Sequence, residues 1–258
     1  MRDSPPALPI RVYRKLRGLG LRSRARQFLN EMAVDNPLKG LAVRVVGDAS
    51  GDPTEFFDHY DGFAFWVVKK LSNSPTFIHR ILDLGSPKMM CGMLSVNNSV
   101  TSMVLEDCSD ALSNVQYVQH DVSYPFPFDA ASFDVFTSTV ALPLVGLGRY
   151  GDRLDANCLP HVVRELDRVM ASNGDLYISM CLGPNLLAFN NGWFLDLETI
   201  SRLFSGWVLT EIIVDWWSSP RTSPIGPLQE RFGPDVKRHP IALGDYRVTF
   251  LHFKRADA

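Results

Sequence analysis

Acidic residues stand at the ends of three consecutive strand-like runs. They are Asp83 in Ile81-Leu82-Asp83-Leu84-Gly85-Ser86, Glu106 and Asp107 in Val104-Leu105-Glu106-Asp107-Cys108-Ser109, and Asp121 in His120-Asp121-Val122. In an open parallel sheet the carboxyl ends of neighbouring strands border one crevice, and ligands bind there. An acid after the second strand can accept both hydroxyl hydrogens of a ribose, and the glycine turn after Asp83 lets backbone come close to a ligand. That is nucleoside-binding chemistry. The structural alternative is that these acids cap helices and satisfy loop amides.

A second group lies further on, in Val145-Gly146-Leu147-Gly148-Arg149-Tyr150-Gly151-Asp152-Arg153-Leu154-Asp155. Its glycines make a tight loop at the crevice mouth. There Arg149 can clamp an anion or a sugar hydroxyl, Tyr150 can stack or donate, and Asp152 can accept a proton. The structural alternative has Arg149 and Asp152 pairing with each other or with backbone to hold the loop. His120 and His161 are the nearest candidates for a general base acting on a hydroxyl. Trp193, Trp207, Trp216 and Trp217 serve either core packing or stacking on a sugar ring or partner.

The elements that must position these groups are legible as seven runs: FIHRILDLG, TSMVLED, VQYVQHD, SFDVFTST, DLYISMC, WVLTEIIVDW and YRVTFLHF. Helical patterns separate several of them, clearest in HVVRELDRVM and LETISRLF, and this alternation predicts a mostly parallel α/β sheet. The last two runs lack a helix of comparable length between them, which predicts an antiparallel pair at the sheet edge. Phe63, Phe65, Trp66, Val67 and Val68 form an aromatic-rich patch expected to cover that sheet's edge. The Pro/Gly-rich stretch from Ser218 to Pro240 reads as a long loop of the lid or binding type.

Composition excludes whole classes. Hydrophobic residues are 46% and charged residues 21%, with 18 glycines and 17 prolines, unlike disordered, collagenous or coiled-coil chains. Twenty-eight acids against 26 bases leave a net charge of -2, which gives no reason to expect a dedicated nucleic-acid binder. Charge is unevenly spread: the first 40 residues hold nine bases and three acids, so the remainder is net -8. Those residues form a basic helical extension, expected either to pack on the main domain or to draw residues 1–30 to an anionic membrane surface or polymer. The four cysteines, Cys91, Cys108, Cys158 and Cys181, have no zinc or disulfide spacing and are expected to be free thiols. No signal-like apolar run opens the chain, so a cytoplasmic, at most membrane-peripheral, setting is expected. The uncharged stretch Leu176 to Leu195 is too punctuated by Gly, Pro and Asn for a membrane span.

The stretches ILDLGS, LEDCSDAL, VQHDVSYPFPFDAASFDVFTST and ELDRVMASNGDLYISM, in that order, resemble the class I S-adenosylmethionine-dependent methyltransferase superfamily over about residues 77–255. The resemblance implies one Rossmann-like α/β domain over residues 41–258, with a mostly parallel seven-stranded sheet and an antiparallel edge strand. It implies S-adenosylmethionine as cofactor, with Asp83, Leu84, Gly85 and Ser86 in the loop under its methionine part. Asp107 would hold the ribose hydroxyls and Cys108 would sit beside the adenine. Asp121 and Val122 would meet the adenine edge, and His120 and Thr139 would complete the cofactor-facing set. The stretch ELDRVMASNGDLYISM would form a helix, an Asn-Gly turn and the fifth strand.

Two departures stand out. Where further small residues are usual after Gly85, this chain has Pro87, Lys88, Met89 and Met90, which predicts a reshaped loop or a partly filled pocket. The loop from Val145 resembles the Gly-Leu-Gly-Arg-Tyr-Gly-Asp signature of a methyltransferase-like domain family of unknown function, some members of which are associated with polysaccharide synthesis. Pro143 and Leu144 stand where that family often has an acid and a histidine. The implied function is methyl transfer to a hydroxyl of a small-molecule or glycan acceptor, with Arg149, Tyr150, Asp152 and His161 as its catalytic candidates. The rival is a methyltransferase-like binding or scaffold protein without catalysis, and a third reading is a different nucleotide-using enzyme of this fold.

Overall fold

All seven apolar runs become strands, the central ones with both faces buried and VQYVQHD and WVLTEIIVDW with part of their side chains exposed. In chain order the elements are a helical stretch at residues 23–30 (α1), β1 (Ala42–Val45), α2 (His59–Ser72), β2 (Arg80–Leu84), α3 (Lys88–Leu94), β3 (Ser99–Val104), β4 (Val115–Gln119) and β5 (Phe133–Thr139). A short 3-10 turn at Leu142–Leu144 precedes α4 (Cys158–Val169), β6 (Met170–Leu182), β7 (Leu186–Phe189), β8 (Gly192–Phe194) and α5 (Leu197–Leu203). The chain closes with β9 (Trp207–Val214), β10 (Arg221–Ser223) and β11 (Arg247–Arg255). The computed structural model describes residues 23–45, 59–75, 78–106, 112, 114–214, 221–223 and 247–256.

The main sheet has the order β10-β9-β11-β6-β5-β2-β3-β4. Strands β6, β5, β2, β3 and β4 are mutually parallel, and β11 runs antiparallel to both β6 and β9. The expected antiparallel pair is therefore β9 with β11, and β10 lengthens that edge by pairing antiparallel with β9. The chain winds outward through β2, β3 and β4, then returns to lay β5 on the other side of β2. The reversal opens a crevice above the carboxyl ends of β2 and β5, where ligands settle in open α/β sheets.

Period-two alternation divides the core between the two faces. Ile81, Val135, Tyr177 and Phe250 face one side, where α2 and α3 cover them with Phe63, Trp66, Val67, Met90 and Cys91. Trp66 stacks on Phe250 at 5.8 Å and meets the edge of Tyr177 at 5.4 Å. The aromatic patch thus covers a sheet face rather than its edge, with Phe65 alone pointing outward. Leu82, Phe136, Leu176, Ile178 and Leu251 face the other side, under Val162, Leu166, Ile200 and Phe28. Fully burying one such side chain stabilises the fold by about 1.5–3 kcal/mol.

Two elements differ from expectation. Asn173 and Gly174 make no turn: α4 passes directly into β6, which contains both and shifts register against β5 between Phe133 and Val135. The punctuated stretch after Gly183 forms β7 and β8, which join β1 in a separate three-stranded sheet. Trp193 and Trp207 are buried core residues, whereas Trp216 and Trp217 lie outside the described residues, as does the Ser218–Pro240 stretch apart from β10. Cys91 and Cys158 are buried free thiols and Cys181 is a half-buried one. No helix among the described residues is long and apolar enough to cross a membrane.

Of the basic extension, residues 1–22 lie outside the described residues, and with them six of its nine bases and most of the expected anionic contact. The rest is sewn onto the domain. Ala25, Phe28, Met32 and Leu38 enter the main core. Asn36 donates through Nδ2 to Ala156 O at 3.1 Å and to Asn157 Oδ1 at 3.0 Å, and its Oδ1 accepts from Leu38 N at 2.9 Å. Asn157 Oδ1 also accepts from Ala33 N at 3.0 Å. Asn36→Ala leaves these buried groups unpaired, so a loss of about 2–3 kcal/mol is expected. A thermal melt reads this as a fall of several degrees, and unchanged melting would show that apolar burial alone holds the segment.

Candidate functional site

The turn after β2 sets the floor of the crevice. Gly85 has φ +68°, and a Cβ there would lie 2.7 Å from the Ala141 Cβ, so only glycine lets this turn close against the chain leaving β5. Ser86 and Thr139 lock the two segments together, with their hydroxyls 3.0 Å apart and Thr139 N donating to Ser86 Oγ at 3.3 Å. Pro87 follows with φ -57°, natural for its ring, and α3 begins. Met90 is buried beneath, its sulfur 3.3 Å from the Thr139 hydroxyl, while Met89 turns outward. The departure after Gly85 reshapes the loop without filling the pocket: neither methionine lines it.

Asp83 lies under this floor, wholly buried. Its carboxylate accepts from Thr137 Oγ1 at 2.7 Å, Ser102 Oγ at 3.0 Å, Ser86 N at 3.2 Å and the Cys91 thiol at 3.5 Å. Burial pushes its pKa up against the opposing pull of these donors. Burial, and next the neighbouring Asp83 charge, also pushes up the Cys91 thiol. Asp83 therefore ties β2, β3, β5 and α3 together from below and does not line the cavity.

Above the floor is a cavity of about 440 Å³ at the carboxyl ends of β2, β3, β4 and β5. Leu84, Gly85, Ser86 and Lys88 line it from the β2 side, Met103 to Glu106 from β3, and Tyr117, His120 and Val122 from β4. Thr139, Val140 and Ala141 follow β5 into it, and Leu144, Val145, Tyr150, Asp152 and Tyr60 form the rim. The expected ribose acid Asp107 and its neighbour Cys108 lie outside the described residues. Glu106, one position earlier, is an exposed carboxylate on the wall.

Of the neighbouring expected residues, His120 and Val122 are on the wall and Asp121 is not. Asp121 accepts from Ser123 N and Arg153 N, both at 2.9 Å, tying the end of β4 to the rim loop. Burial would raise its pKa, but these amides outweigh it and hold the carboxyl below the ordinary range. His120 places Nε2 3.3 Å from Tyr124 O and sets its ring edge-on to Phe126. Phe126 is fixed in turn by its amide donating to Glu165 at 2.7 Å and by Arg168 on its carbonyl.

The rim loop is built from its own polar groups. Asp152 accepts from Gly148 N at 3.1 Å and Tyr150 N at 3.2 Å, folding the turn around its carboxylate. Arg149 instead reaches the second sheet, donating to Asn190 O at 3.2 Å and Asn191 Oδ1 at 2.9 Å. The two do not pair with each other. Arg149 is absent from the cavity wall, whereas Tyr150, exposed at 60%, and Asp152 are on it. His161, on α4, is also off the wall, with a buried Nε2 that has no hydrogen-bond partner among the described residues, so only His120 of the two histidines reaches the cavity.

The sequence assigned no site role to Tyr60, Lys88 or Glu106, although Glu106 ends a strand-like run and Lys88 belongs to the departure after Gly85. Glu106 was visible as the other half of an acidic pair. Tyr60 and Lys88 carry no motif, since each depends on where the first turn of a helix meets the crevice.

No family model matches the chain, and no curated protein matches it. Solved structures do. It is similar to 1,6-didemethyltoxoflavin-N1-methyltransferase from Burkholderia thailandensis, solved with 1,6-didemethyltoxoflavin and S-adenosylhomocysteine bound, at TM-score 0.51 and 13% identity over 99% of this chain and 94% of that one. It is similar to the [4+2]-cyclase SpnF at TM-score 0.53 and 11% identity over 92% of this chain and 94% of that one. YcgJ from Bacillus subtilis matches at TM-score 0.50 and 12% identity over 76% of this chain and 99% of that one. The fold is that of Rossmann-like methyltransferases, a fold that carries a cyclase as well.

Proposed function

We propose that the cavity binds S-adenosylmethionine and that the chain transfers its methyl group to a hydroxyl of a small acceptor, a sugar or polysaccharide precursor. What supports this reading is that one cavity brings together the Gly85 turn at the β2 end, a carboxylate at the β3 end and two tyrosines at the rim. Its volume suits a small-molecule site. Glu106, with Asp107 beside it in sequence, suits a ribose diol. Leu105, Met103 and Val122 offer apolar surface to a purine, and Gly85 and Ser86 suit the methionine half.

When bound, the cofactor supplies an electrophilic methyl carbon on a sulfonium sulfur. What remains for the protein is to hold the acceptor oxygen in line and to remove its proton. Tyr60 and Tyr150 present ring faces of the kind that cover the C–H face of a sugar. Asp152 keeps lone pairs beyond its two amide bonds and accepts from an acceptor hydroxyl, orienting it. His120, donating Nε2–H to Tyr124 O, keeps Nδ1 as the acceptor for the departing proton. Positioning supplies several kcal/mol of the barrier in such sites.

Calorimetric titration with S-adenosylmethionine and S-adenosylhomocysteine is the test. Both should bind, and Glu106→Gln should weaken both about tenfold by weakening charge-assisted hydrogen bonds to the diol, with unchanged melting because the side chain is exposed. Absence of binding at millimolar concentration would remove the reading. Binding without methyl transfer to any hydroxylated acceptor would favour a binding protein on the same fold.

A further inference from the structure

Among the described residues, the cavity wall carries one lysine or arginine, and it has no partner of its own. Lys88 makes no ion pair or hydrogen bond among the described residues, although it stands in the first turn of α3 beside the Gly85 turn. The other charged groups on or near the wall divide differently. Asp83 is enclosed by donors, and Asp121 and Asp152 each hold two amides. Glu106 is on the cavity wall at the β3 end and has no partner among the described residues.

The sheet order places these two unpaired charges on neighbouring strands, with Lys88 after β2 and Glu106 after β3. A ligand lying across the carboxyl ends of these strands meets a carboxylate at one part of its length and an ammonium at another. The turn between β2 and α3 brings Gly85, Ser86 and Lys88 to the same wall, so a ligand there meets a cationic residue beside the glycine turn.

We infer that Lys88 recognises the carboxylate of the methionine half of the cofactor, so that the pocket selects amino-acid-bearing nucleosides over their decarboxylated forms. The inference rests on the proposed cofactor reading. With the diol held by an acid after β3, the amino-acid half extends toward β2 and β5, where Lys88 is the cation on the wall among the described residues. Its ammonium then donates to an anionic oxygen, an interaction about twice as strong as a neutral hydrogen bond.

Two ligands differing only in that carboxylate test it: S-adenosylhomocysteine and its decarboxylated form, S-adenosyl-3-thiopropylamine, each titrated calorimetrically into the full chain. The parent should bind S-adenosylhomocysteine more tightly. Lys88→Gln should weaken S-adenosylhomocysteine about tenfold, leave S-adenosyl-3-thiopropylamine unchanged and so abolish the preference, while Lys88→Arg keeps most of it. Equal weakening of both ligands, or unchanged affinity for S-adenosylhomocysteine, overturns the role of Lys88 while leaving the cofactor reading intact. A parent that binds neither ligand overturns the cofactor reading, and the Lys88 assignment with it.

Discussion

Gly146→Ala is expected to lower the melting temperature by about 6–20 °C and to disable the rim of the cavity. Gly146 has φ +72°, and a Cβ built there lies 2.3 Å from Asp155 O and 2.5 Å from the Cys158 Cβ. The left-handed backbone alone costs an L-residue about 1–2 kcal/mol. The clash cannot be relieved by rotating a side chain, because one partner is a carbonyl and the other is the first carbon of a residue that opens α4. Either the rim loop or the start of α4 must move. Gly146 O also accepts from Asp155 N at 2.9 Å, so that movement breaks the bond closing the loop. The summed loss is about 3–5 kcal/mol, or roughly 2–4 °C per kcal/mol for a chain of this size. Gly151→Ala is the control: φ is +90°, but nothing lies within 4 Å, so only the backbone strain is felt. Similar melting of the two variants would show that the steric seat of Gly146 is unimportant. Tyr150 and Asp152 ride on this loop, so acceptor binding should fail in Gly146→Ala even where folded protein is recovered.

The distinction between these glycines shows where sequence reasoning stops. A glycine-rich tight loop at the crevice mouth was legible from Gly146, Gly148 and Gly151, but which glycine is held against α4 depends on packing between segments ten residues apart. Seven of the eight strands of the main sheet were legible as apolar-rich runs bounded by turn residues, and β10, three residues inside the Ser218–Pro240 stretch, was not. Strands β1, β7 and β8 were not, for they hold three or four residues each, and β1 finds its partner β7 more than 140 residues later. The same long-range packing decides the site. Asp83, Asp121 and Asp152 look alike in sequence, each an acid following a strand or in a tight turn. The fold gives the first to four donors under the floor, the second to the rim, and only the third to the cavity wall. Arg149 likewise looked like an anion clamp, and it holds the Asn190-Asn191 turn of the second sheet instead.

Asp83 carries the second large effect, and its sign follows from burial. Asp83→Ala strips the acceptor from the Thr137 and Ser102 hydroxyls and the Ser86 amide, all enclosed beneath the crevice, for an expected loss of about 2–4 kcal/mol. Asp83→Asn keeps the shape and one acceptor oxygen, so it should cost less. The comparison of parent with Asp83→Asn isolates the titration. In the unfolded chain Asp83 ionises in the ordinary aspartate range, whereas burial raises its pKa in the folded state. Its contribution is thus fully present below the ordinary range and is lost as pH rises through the raised folded value. Asp134, held low by the Arg80 guanidinium, and Glu165, held low by Arg168, act in the opposite sense and weaken the fold in acid. Those groups are common to parent and variant and cancel in the difference. The stability advantage of parent over Asp83→Asn should therefore shrink as pH rises above the ordinary aspartate range. Melting both proteins across that range measures it, and an advantage that grows with pH would mean that the enclosing hydroxyls and amide stabilise the charge more than burial opposes it.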